Sequence, residues 1–188
     1  MGEITAVVSV SLDGVMQAPG RPDEDTRGGF TRGGWAQEYA DAVQGEYMGK
    51  RVADGTPLLF GRRTYEDFAG FWPGRTDGNP FTPVLDAAQK YVVSRTLTEP
   101  LPWQNSTVLP DVEAVAALKA TTDLTVLGCG ELVRGLAGLI DTYLLQIHPL
   151  VLGEGCKLFA DGFRRLRLVD SVPTTTGVII ATYRTGEA

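Results

Sequence analysis

The sequence predicts a single α/β domain whose sheet is mainly parallel and gains antiparallel strands toward its C-terminal end. Apolar, β-branched segments of strand length alternate with segments that carry apolar residues at helical spacing. This alternation is typical of a parallel sheet with right-handed crossovers. Further strand-like segments then follow one another at the end with no helix between them. The chain has 188 residues, the size of one domain with a full core.

The N-terminal part begins with a strand and a long loop. The segment Ile4–Val10 is apolar and β-branched, as expected of a buried strand. Residues 12–34 are rich in glycine, proline and aspartate. A loop of this length inside a compact domain is uncommon and is often functional. Residues 35–53 carry apolar side chains at helical spacing and predict an amphipathic helix.

The middle of the chain continues the alternation. Thr56–Phe60 and Lys90–Ser94 predict strands, and Thr107–Leu109 predicts another short one. A helix is predicted to open at Arg62, directly after the first of these strands, and to stop near Pro73.

The C-terminal part predicts two helices and a closing run of strands. Asp111 is a candidate N-cap for a helix that runs through Lys119. Leu124–Leu127 predicts a strand, and Glu131–Leu139 predicts the helix that follows it. The closing strands are predicted at Thr142–Leu152, Arg165–Ser171 and Gly177–Tyr183.

Composition and charge narrow the function classes. The net charge of −6 and the pI of about 4.8 disfavour nucleic-acid binding, because an acidic surface repels a phosphate backbone. No apolar run reaches the length of a membrane span, and no signal-peptide pattern precedes Ile4. The cysteines form no CxxC pair, and the lone histidine, His148, gives no metal-ligand spacing. We therefore expect a cytoplasmic protein without a metal, a membrane segment or a nucleic-acid partner.

The first of two glycine-bearing turns joins a predicted strand to a predicted helix at Gly61. A glycine there lets a ligand approach the backbone, and the start of the next helix offers unpaired N–H groups and the positive end of the helix dipole. Arg62, Arg63 and Thr64 add two guanidinium groups and a hydroxyl. This turn suits a phosphate. The alternative is a glycine that simply ends the strand beside surface arginines.

The second turn, Gly128 to Leu132, follows another predicted strand. It departs from the Rossmann GxGxxG fingerprint because Val133 stands in the place of the third glycine. Ligands of open α/β sheets lie at the carboxyl ends of the strands, so both turns are expected at the same edge. We expect them to hold the pyrophosphate of a dinucleotide from opposite sides.

A third polar segment, Ser94 and Arg95, lies at the end of another predicted strand, at the same edge of the sheet. Arginine binds phosphate through a planar fork of donors, so either Arg62 or Arg95 is a candidate for the 2′-phosphate of NADPH. The alternative for this segment is a solvated turn. Together the three segments predict an NADPH site.

Five short segments that are spread over nearly the whole chain resemble a known family: Ser9–Val15, Leu59–Tyr65, Tyr91–Arg95, Leu127–Leu132 and His148–Phe159. In amino-acid sequence and in order they resemble the dihydrofolate reductase-like superfamily, in particular the C-terminal reductase domain of the bifunctional riboflavin-biosynthesis deaminase/reductase. The HxE and PCxxC patterns of the zinc deaminase domain do not occur. The resemblance implies a three-layer α/β/α dihydrofolate reductase-like fold in one domain, 1–188, a homodimer, and an NADPH-dependent reductase of a small heterocyclic substrate.

The resemblance also implies roles for particular residues. The implied cofactor-binding residues are Ser9, Val15 and Met16 beside the nicotinamide; Gly61, Arg62, Arg63 and Thr64 at the adenosine side and the pyrophosphate; Ser94 and Arg95 at the 2′-phosphoribose; and Gly128, Cys129, Gly130, Glu131 and Leu132 at the opposite side of the pyrophosphate. The long loop and the first helix are implied to cover the substrate, where Trp35 and Tyr39 are the candidate substrate-binding residues.

Hydride transfer is chemistry of the cofactor, so the protein has to orient the nicotinamide and exclude water. Asp13 is the first candidate for the proton donor, because the resemblance places it in the loop near the nicotinamide. A plain Asp-Gly turn is the alternative for this residue. Glu24, Glu38, Tyr39 and water are the other candidate donors.

The resemblance leaves the substrate open between a pterin and a pyrimidine. The riboflavin-pathway reductases often carry an acid before the second glycine turn, where this chain has Leu127. Two alternatives to a reductase also stay open. One is a dinucleotide-binding module without catalysis, and the other is a drug-modifying or scaffolding protein on the same fold.

Overall fold

The computed structural model describes residues 1–76, 78–128, 130–159 and 162–186, which form one eight-stranded sheet flanked by helices. The strands are β1 (Ile4–Ser11), β2 (Leu58–Gly61), β3 (Lys90–Val93), β4 (Ser106–Leu109), β5 (Leu124–Leu127), β6 (Thr142–His148), β7 (Leu166–Pro173) and β8 (Ile179–Thr185). The helices are α1 (Ala42–Ala53), α2 (Arg62–Phe71), α3 (Phe81–Ala87), α4 (Val112–Lys119) and α5 (Gly130–Gly135).

The sheet has the order β4-β3-β2-β5-β1-β6-β8-β7. β1 lies inside it between β5 and β6, with Ile4 beside Leu124 and Thr5 beside Thr142, and the strands from β4 to β6 are all parallel. β8 pairs antiparallel with β6, and β7 pairs antiparallel with β8. The predicted α/β sheet with antiparallel C-terminal strands is confirmed.

Helices cover both faces of the sheet. Side chains alternate from one face of a strand to the other, so neighbouring residues of β1 belong to two different cores. On one face, Ala6 of β1 belongs to a core with Val115 of α4 and Val133 of α5. On the opposite face, Val7 of β1 belongs to a core against which Tyr47 of α1 packs. The molecule therefore has three layers, α/β/α.

The first helix begins later than the sequence predicts. Helical spacing predicts one helix over 35–53, but α1 starts at Ala42. The side chain of Asp41 caps it, because its Oδ1 accepts a hydrogen bond from the backbone N–H of Gln44 (2.8 Å). The chain before this cap forms only a 3₁₀ turn, Gln37–Tyr39.

Two prolines explain two further differences between the predicted and the observed elements. α3 is missing from the prediction because Pro83 in a short segment indicates a loop, whereas a proline in the first turn of a helix loses no helical hydrogen bond. β6 ends at His148 and not at Leu152, since Pro149 has no N–H and the N–H of Leu150 turns back to the carbonyl of His148 (2.8 Å).

The amino ends of the strands are tied together by a buried lysine. The Nζ of Lys119 at the end of α4 donates to the carbonyl of Leu139 (2.7 Å) and to the carboxylate of Asp141 (2.8 Å). The same carboxylate accepts from the backbone N–H of Ile4 (2.7 Å). The side chain of Lys119 is only 8% exposed, so this contact depends on the pairing of a buried charge.

Candidate active site

A cleft of about 1100 Å³ opens at the carboxyl ends of the parallel strands. Its walls come from segments that follow β1, β2, β3, β4 and β5, namely residues 16–18, 61–64, 94–96, 110–113 and 130–132. Both glycine turns therefore reach one cleft, as does the turn after β3. The turns lie close together because β2 and β5 are neighbours in the sheet.

The first wall is the start of α2. Gly61 is its N-cap and has no side chain to accept hydrogen bonds from the first-turn N–H groups, which leaves these donors for a ligand. Arg62 lines the cleft and pairs with Glu66 one turn along the helix (Nη1–Oε2, 2.9 Å). This end of α2 suits an anion through its backbone donors, its dipole and its arginines.

The second wall is the turn between β5 and α5. Gly128 has φ +61°, the left-handed conformation that favours glycine. A β-carbon at Gly128 would lie 3.7 Å from the Cγ2 of Thr64, so the two glycine turns are direct neighbours. A β-carbon at Gly130 would fall 1.7 Å from the Cε of Met16, so the absence of a side chain there lets the long loop reach the cleft wall.

The other residues of this second turn differ in what they offer. Cys129 lies outside the described residues. Leu132 is buried in the core, so its backbone is what it offers to the cleft. Glu131 presents a carboxylate whose Oε1 accepts hydrogen bonds from Arg27 Nη1 (2.7 Å) and Arg63 Nη1 (2.9 Å). These two arginines lower the pKa of Glu131.

The third wall is the turn after β3. The Oγ of Ser94 accepts hydrogen bonds from the backbone N–H groups of Thr96 (3.1 Å) and Leu97 (3.0 Å), which fixes the turn. Arg95 is exposed at the cleft and forms no ion pair with any residue in the described ranges. Its guanidinium group is therefore available to a ligand.

Residues 21–27, which we call the strap, run from one wall of the cleft to the other. Arg21 forms an ion pair with Asp67 of α2. Arg27 forms one with Glu131 of α5, with 2.7 Å between Nη1 and Oε1. The strap is thus tied by charge to both helices that begin at the glycine turns.

Two residues that the sequence analysis did not single out shape this strap. Gln17 lines the cleft, and its Nε2 donates to the carbonyls of Asp25 (3.2 Å) and Arg27 (3.0 Å). Its Oε1 accepts from the backbone N–H of Cys156 (3.0 Å). Arg27 lies in a polar loop and meets Glu131, its partner, only through the tertiary fold. No local sequence signal marks either residue.

Asp13, the expected proton donor, does not line the cleft. Its carboxylate accepts hydrogen bonds from the Oγ of Ser11 (2.7 Å) and from the backbone N–H groups of Leu152 (3.1 Å) and Gly153 (2.9 Å). These bonds, led by that from Ser11, lower the pKa of Asp13 to about 2. The group is ionised at neutral pH, so it holds no proton to donate and instead fastens two loops together.

Glu24, another of the candidate donors, lies in the strap and lines the cleft. Its Oε2 accepts hydrogen bonds from the backbone N–H groups of Gly20 (2.6 Å) and Arg21 (3.1 Å). Burial raises the pKa of Glu24 in spite of these bonds. Of Asp13 and Glu24, the second is the one in the cleft and the one shifted toward its protonated form.

The three residues implied to lie beside the nicotinamide separate in the structure. Met16 lines the cleft. Ser9 lies within β1 beside Gln146 of β6 and is not among the lining residues. Val15 is fully buried in a core cluster with Phe30.

Trp35 and Tyr39 do not line the cleft. Trp35 is buried, and its indole N–H donates to the carbonyl of Gln17 (2.7 Å). Both rings meet His148 edge-on, with centroid distances of 5.1 Å for Trp35 and 5.7 Å for Tyr39. His148 is fully buried, which lowers its pKa. Trp35 and Tyr39 are four residues apart because both rings pack on the imidazole of His148, although the backbone that carries them does not form an α-helix.

Within the described ranges, no helix is both long and apolar enough to cross a membrane. No group of histidine, cysteine, aspartate and glutamate side chains in that part of the chain is arranged to hold a metal ion.

Comparison with known proteins gives a family and a fold. Residues 3–180 match the family described as the RibD C-terminal domain. A relative in Bacillus subtilis strain 168, the uncharacterized protein YyaP, is 29% identical over 136 residues, which cover 67% of this chain and 72% of that protein.

Two solved structures are similar along nearly the whole chain. A candidate riboflavin biosynthesis protein from Shewanella sp. PV-4 has a TM-score of 0.70 at 19% identity, with 98% of this chain and 99% of that one covered. A pyrimidine reductase-like protein from Corynebacterium diphtheriae has a TM-score of 0.66 at 14% identity, with 100% and 93% covered. These likenesses confirm the dihydrofolate reductase-like fold.

Proposed function

This chain belongs to the RibD C-terminal domain family, and from that premise we propose that it is an NADPH-dependent reductase of a small heterocyclic substrate. The activity would be similar to that of 5-amino-6-(5-phosphoribosylamino)uracil reductase or dihydrofolate reductase. One observation carries the proposal: two glycine turns, on the neighbouring parallel strands β2 and β5, line the same cleft at the carboxyl edge of the sheet.

The residues of the cleft fit a phosphorylated dinucleotide. Its volume of about 1100 Å³ is large for a small-molecule site, as an extended ligand requires. The first turn of α2 offers backbone donors to a pyrophosphate, flanked by Arg62 and Arg63. The exposed Arg95 offers a planar fork of donors to a 2′-phosphate. On the opposite side of the cleft, Gly128 and Gly130 have no side chains, so the dinucleotide would approach the backbone closely there.

Bound NADPH would supply the hydride, and this chain would bind, orient and shield it. Arg62, Arg63 and Thr64 would hold the adenosine side and the pyrophosphate, and Met16 would lie beside the nicotinamide. The strap would exclude water from the reacting end, because Arg21 ties it to Asp67 of α2.

The proton for such a reduction would come from Glu24 or from water. Glu24 lines the cleft with a raised pKa, whereas Asp13 is ionised and bonded elsewhere. A general acid has to keep its proton near neutral pH, so the shift of Glu24 is in the required direction.

The proposed substrate class is a pyrimidine or a pterin. The names of the two structural relatives, one linked to riboflavin biosynthesis and one to pyrimidine reduction, favour a pyrimidine. Trp35 and Tyr39 do not line the cleft, and Trp35 is buried, so the proposed substrate site does not use these two side chains.

A binding and turnover experiment tests the proposal. NADPH fluorescence should be quenched on binding, and the absorbance of the nicotinamide band should fall when 5-amino-6-(5-phosphoribosylamino)uracil or a related pyrimidine is added. A panel of pterins is the parallel arm. Binding of NADPH without oxidation by any compound would support the alternative, a non-catalytic dinucleotide-binding module. Failure to bind NADPH or NADH would contradict both functions.

We also propose that the protein is a cytoplasmic homodimer that pairs through β7. This strand forms one edge of the sheet and exposes Leu168 (52%) and Val169 (48%). The unpaired backbone N–H and C=O groups along this edge would let two copies pair antiparallel about a two-fold axis. Light scattering should give the dimer mass, and Leu168→Lys should give a monomer. A wild-type monomer at micromolar concentration would contradict this pairing.

A further inference from the structure

One oxygen of Glu131 joins three separate elements of the cleft. Its Oε1 accepts from Nη1 of Arg27, in the strap, at 2.7 Å and from Nη1 of Arg63, in the first turn of α2, at 2.9 Å. Glu131 itself belongs to α5. Two guanidinium groups from opposite sides thus converge on one anionic oxygen.

This arrangement is the coordination that arginine side chains give to a phosphate oxygen. Guanidinium groups bind carboxylate and phosphate with the same planar donors, and their hydrogen bonds to charged oxygens are strong. Arg27, Arg63 and the start of α2, whose first-turn N–H groups have no side-chain cap, line the same cleft.

We propose that Arg27 and Arg63 form a phosphate-binding position in which the Glu131 carboxylate competes with the ligand. The inference rests on the proposed function, because the phosphate is that of the bound dinucleotide. It adds Arg27 of the strap to the binding residues, and it gives Glu131 the opposite role, that of a group which weakens binding and so sharpens selection for highly charged ligands.

Because the three side chains are exposed, replacement of the Glu131 carboxylate by a phosphate costs little free energy. Their relative exposures are 50% for Arg27, 52% for Arg63 and 60% for Glu131. Ion pairs this exposed are weak, and a released carboxylate returns to water. A pyrophosphate carries more charge than one carboxylate and would therefore pair more strongly with the two guanidinium groups.

Arg27 stays in place when the carboxylate leaves. Its Nε donates to the Oδ1 of Asp25 (2.8 Å), and its carbonyl accepts from the side chain of Gln17 (3.0 Å). The strap therefore keeps Arg27 aimed at the cleft without help from Glu131. Removal of the Glu131 charge should free the position and not dismantle it.

Titration calorimetry with inorganic pyrophosphate and with NADPH, at fixed ionic strength, tests this. Glu131→Gln should tighten pyrophosphate binding about threefold to tenfold, the gain expected when two exposed ion pairs no longer compete. Arg27→Gln should weaken it, and the pair Arg27→Gln with Glu131→Gln should lose most of the gain. Glu113→Gln removes one charge from the same cleft and should give a smaller change. Glu131→Ala is the second variant, should Glu131→Gln fold poorly.

The outcomes separate this inference from the proposed function. If Glu131→Gln and Glu131→Ala bind pyrophosphate no better than Glu113→Gln does, the competition is overturned while NADPH binding by the wild type still supports the reductase. If pyrophosphate binding tightens but NADPH does not bind at all, the phosphate position stands and the reductase fails. A wild-type protein that binds neither probe overturns both.

Discussion

Met16 lies directly over Gly130, so close that a β-carbon on the glycine would fall 1.7 Å from the methionine Cε and 2.6 Å from its sulfur. The contact joins the loop after β1 to the start of α5. It is possible only because position 130 has no side chain. Both residues line the cleft, so the contact sets the shape of its floor.

Gly130→Ala should therefore impair binding more than folding. Methionine is flexible and can swing away, which keeps the cost to the free energy of unfolding small, but its new position fills the cleft. We expect NADPH affinity to fall about tenfold, or about 1.4 kcal/mol, by fluorescence titration. Gly135→Ala, in the same helix with no atom near the added carbon, is the matched control and should bind normally. Equal affinities for the two variants would contradict this role.

Arg95→Gln should reduce the preference for NADPH over NADH. Its guanidinium group has no ion-pair partner in the described part of the chain, and a 2′-phosphate would supply one. Loss of a charge-assisted hydrogen bond should weaken NADPH about fivefold to twentyfold and leave NADH unchanged. Arg167→Gln, on β7 at the other edge of the sheet, is the control. Equal losses for both cofactors would assign Arg95 a role other than reading the 2′-phosphate.

Lys119→Met should destabilise the fold. The change removes the donor to the carbonyl of Leu139 and the cationic partner of the Asp141 carboxylate, which keeps, among the described residues, only its hydrogen bond from the N–H of Ile4. We expect the free energy of unfolding to fall by about 2 to 3 kcal/mol in urea. Lys50→Met is the same substitution at an exposed helix pair and should change stability little. A small effect at both positions would show that Lys119 is dispensable.

Asp13 should make stability depend on acid pH. Its pKa falls from 3.8 to about 2 in the folded protein, so between these values the unfolded chain binds more protons. The stabilisation is complete above about pH 4 and is lost as the pH falls toward 2. Asp13→Asn should flatten this part of the stability profile, and Ser11→Ala, which removes one of the hydrogen bonds, should flatten it partly. An unchanged profile in Asp13→Asn would contradict the assignment.

The sheet could be predicted from sequence because its strands are continuous buried segments. β1 and β5 are largely apolar and almost wholly buried, and the alternation with helices dictates parallel pairing. The missed helix, α3, is short and contains Pro83, so its stability comes from packing of Leu85 in the core and not from local sequence. The late start of α1 depends on the cap at Asp41.

The site divides in the same way. The glycine turns at Gly61 and Gly130 are local motifs, and the sheet brings them to one cleft as the sequence predicts. The contact of Arg27 with Glu131 joins residues 104 positions apart, so no spacing rule could find it. Two of the hydrogen bonds that lower the pKa of Asp13 come from Leu152 and Gly153, 139 and 140 positions away. Roles set by tertiary hydrogen bonds are those that sequence patterns do not reveal.

The place of β8 between β6 and β7 has a consequence for the order of folding. β7 precedes β8 in the chain, yet β8 is the strand it pairs with. Until β8 has docked on β6, the exposed Leu168 and Val169 have no neighbouring strand, and a folding intermediate in this state is open to mispairing with other chains. Refolding at high protein concentration should therefore lower the yield of folded protein.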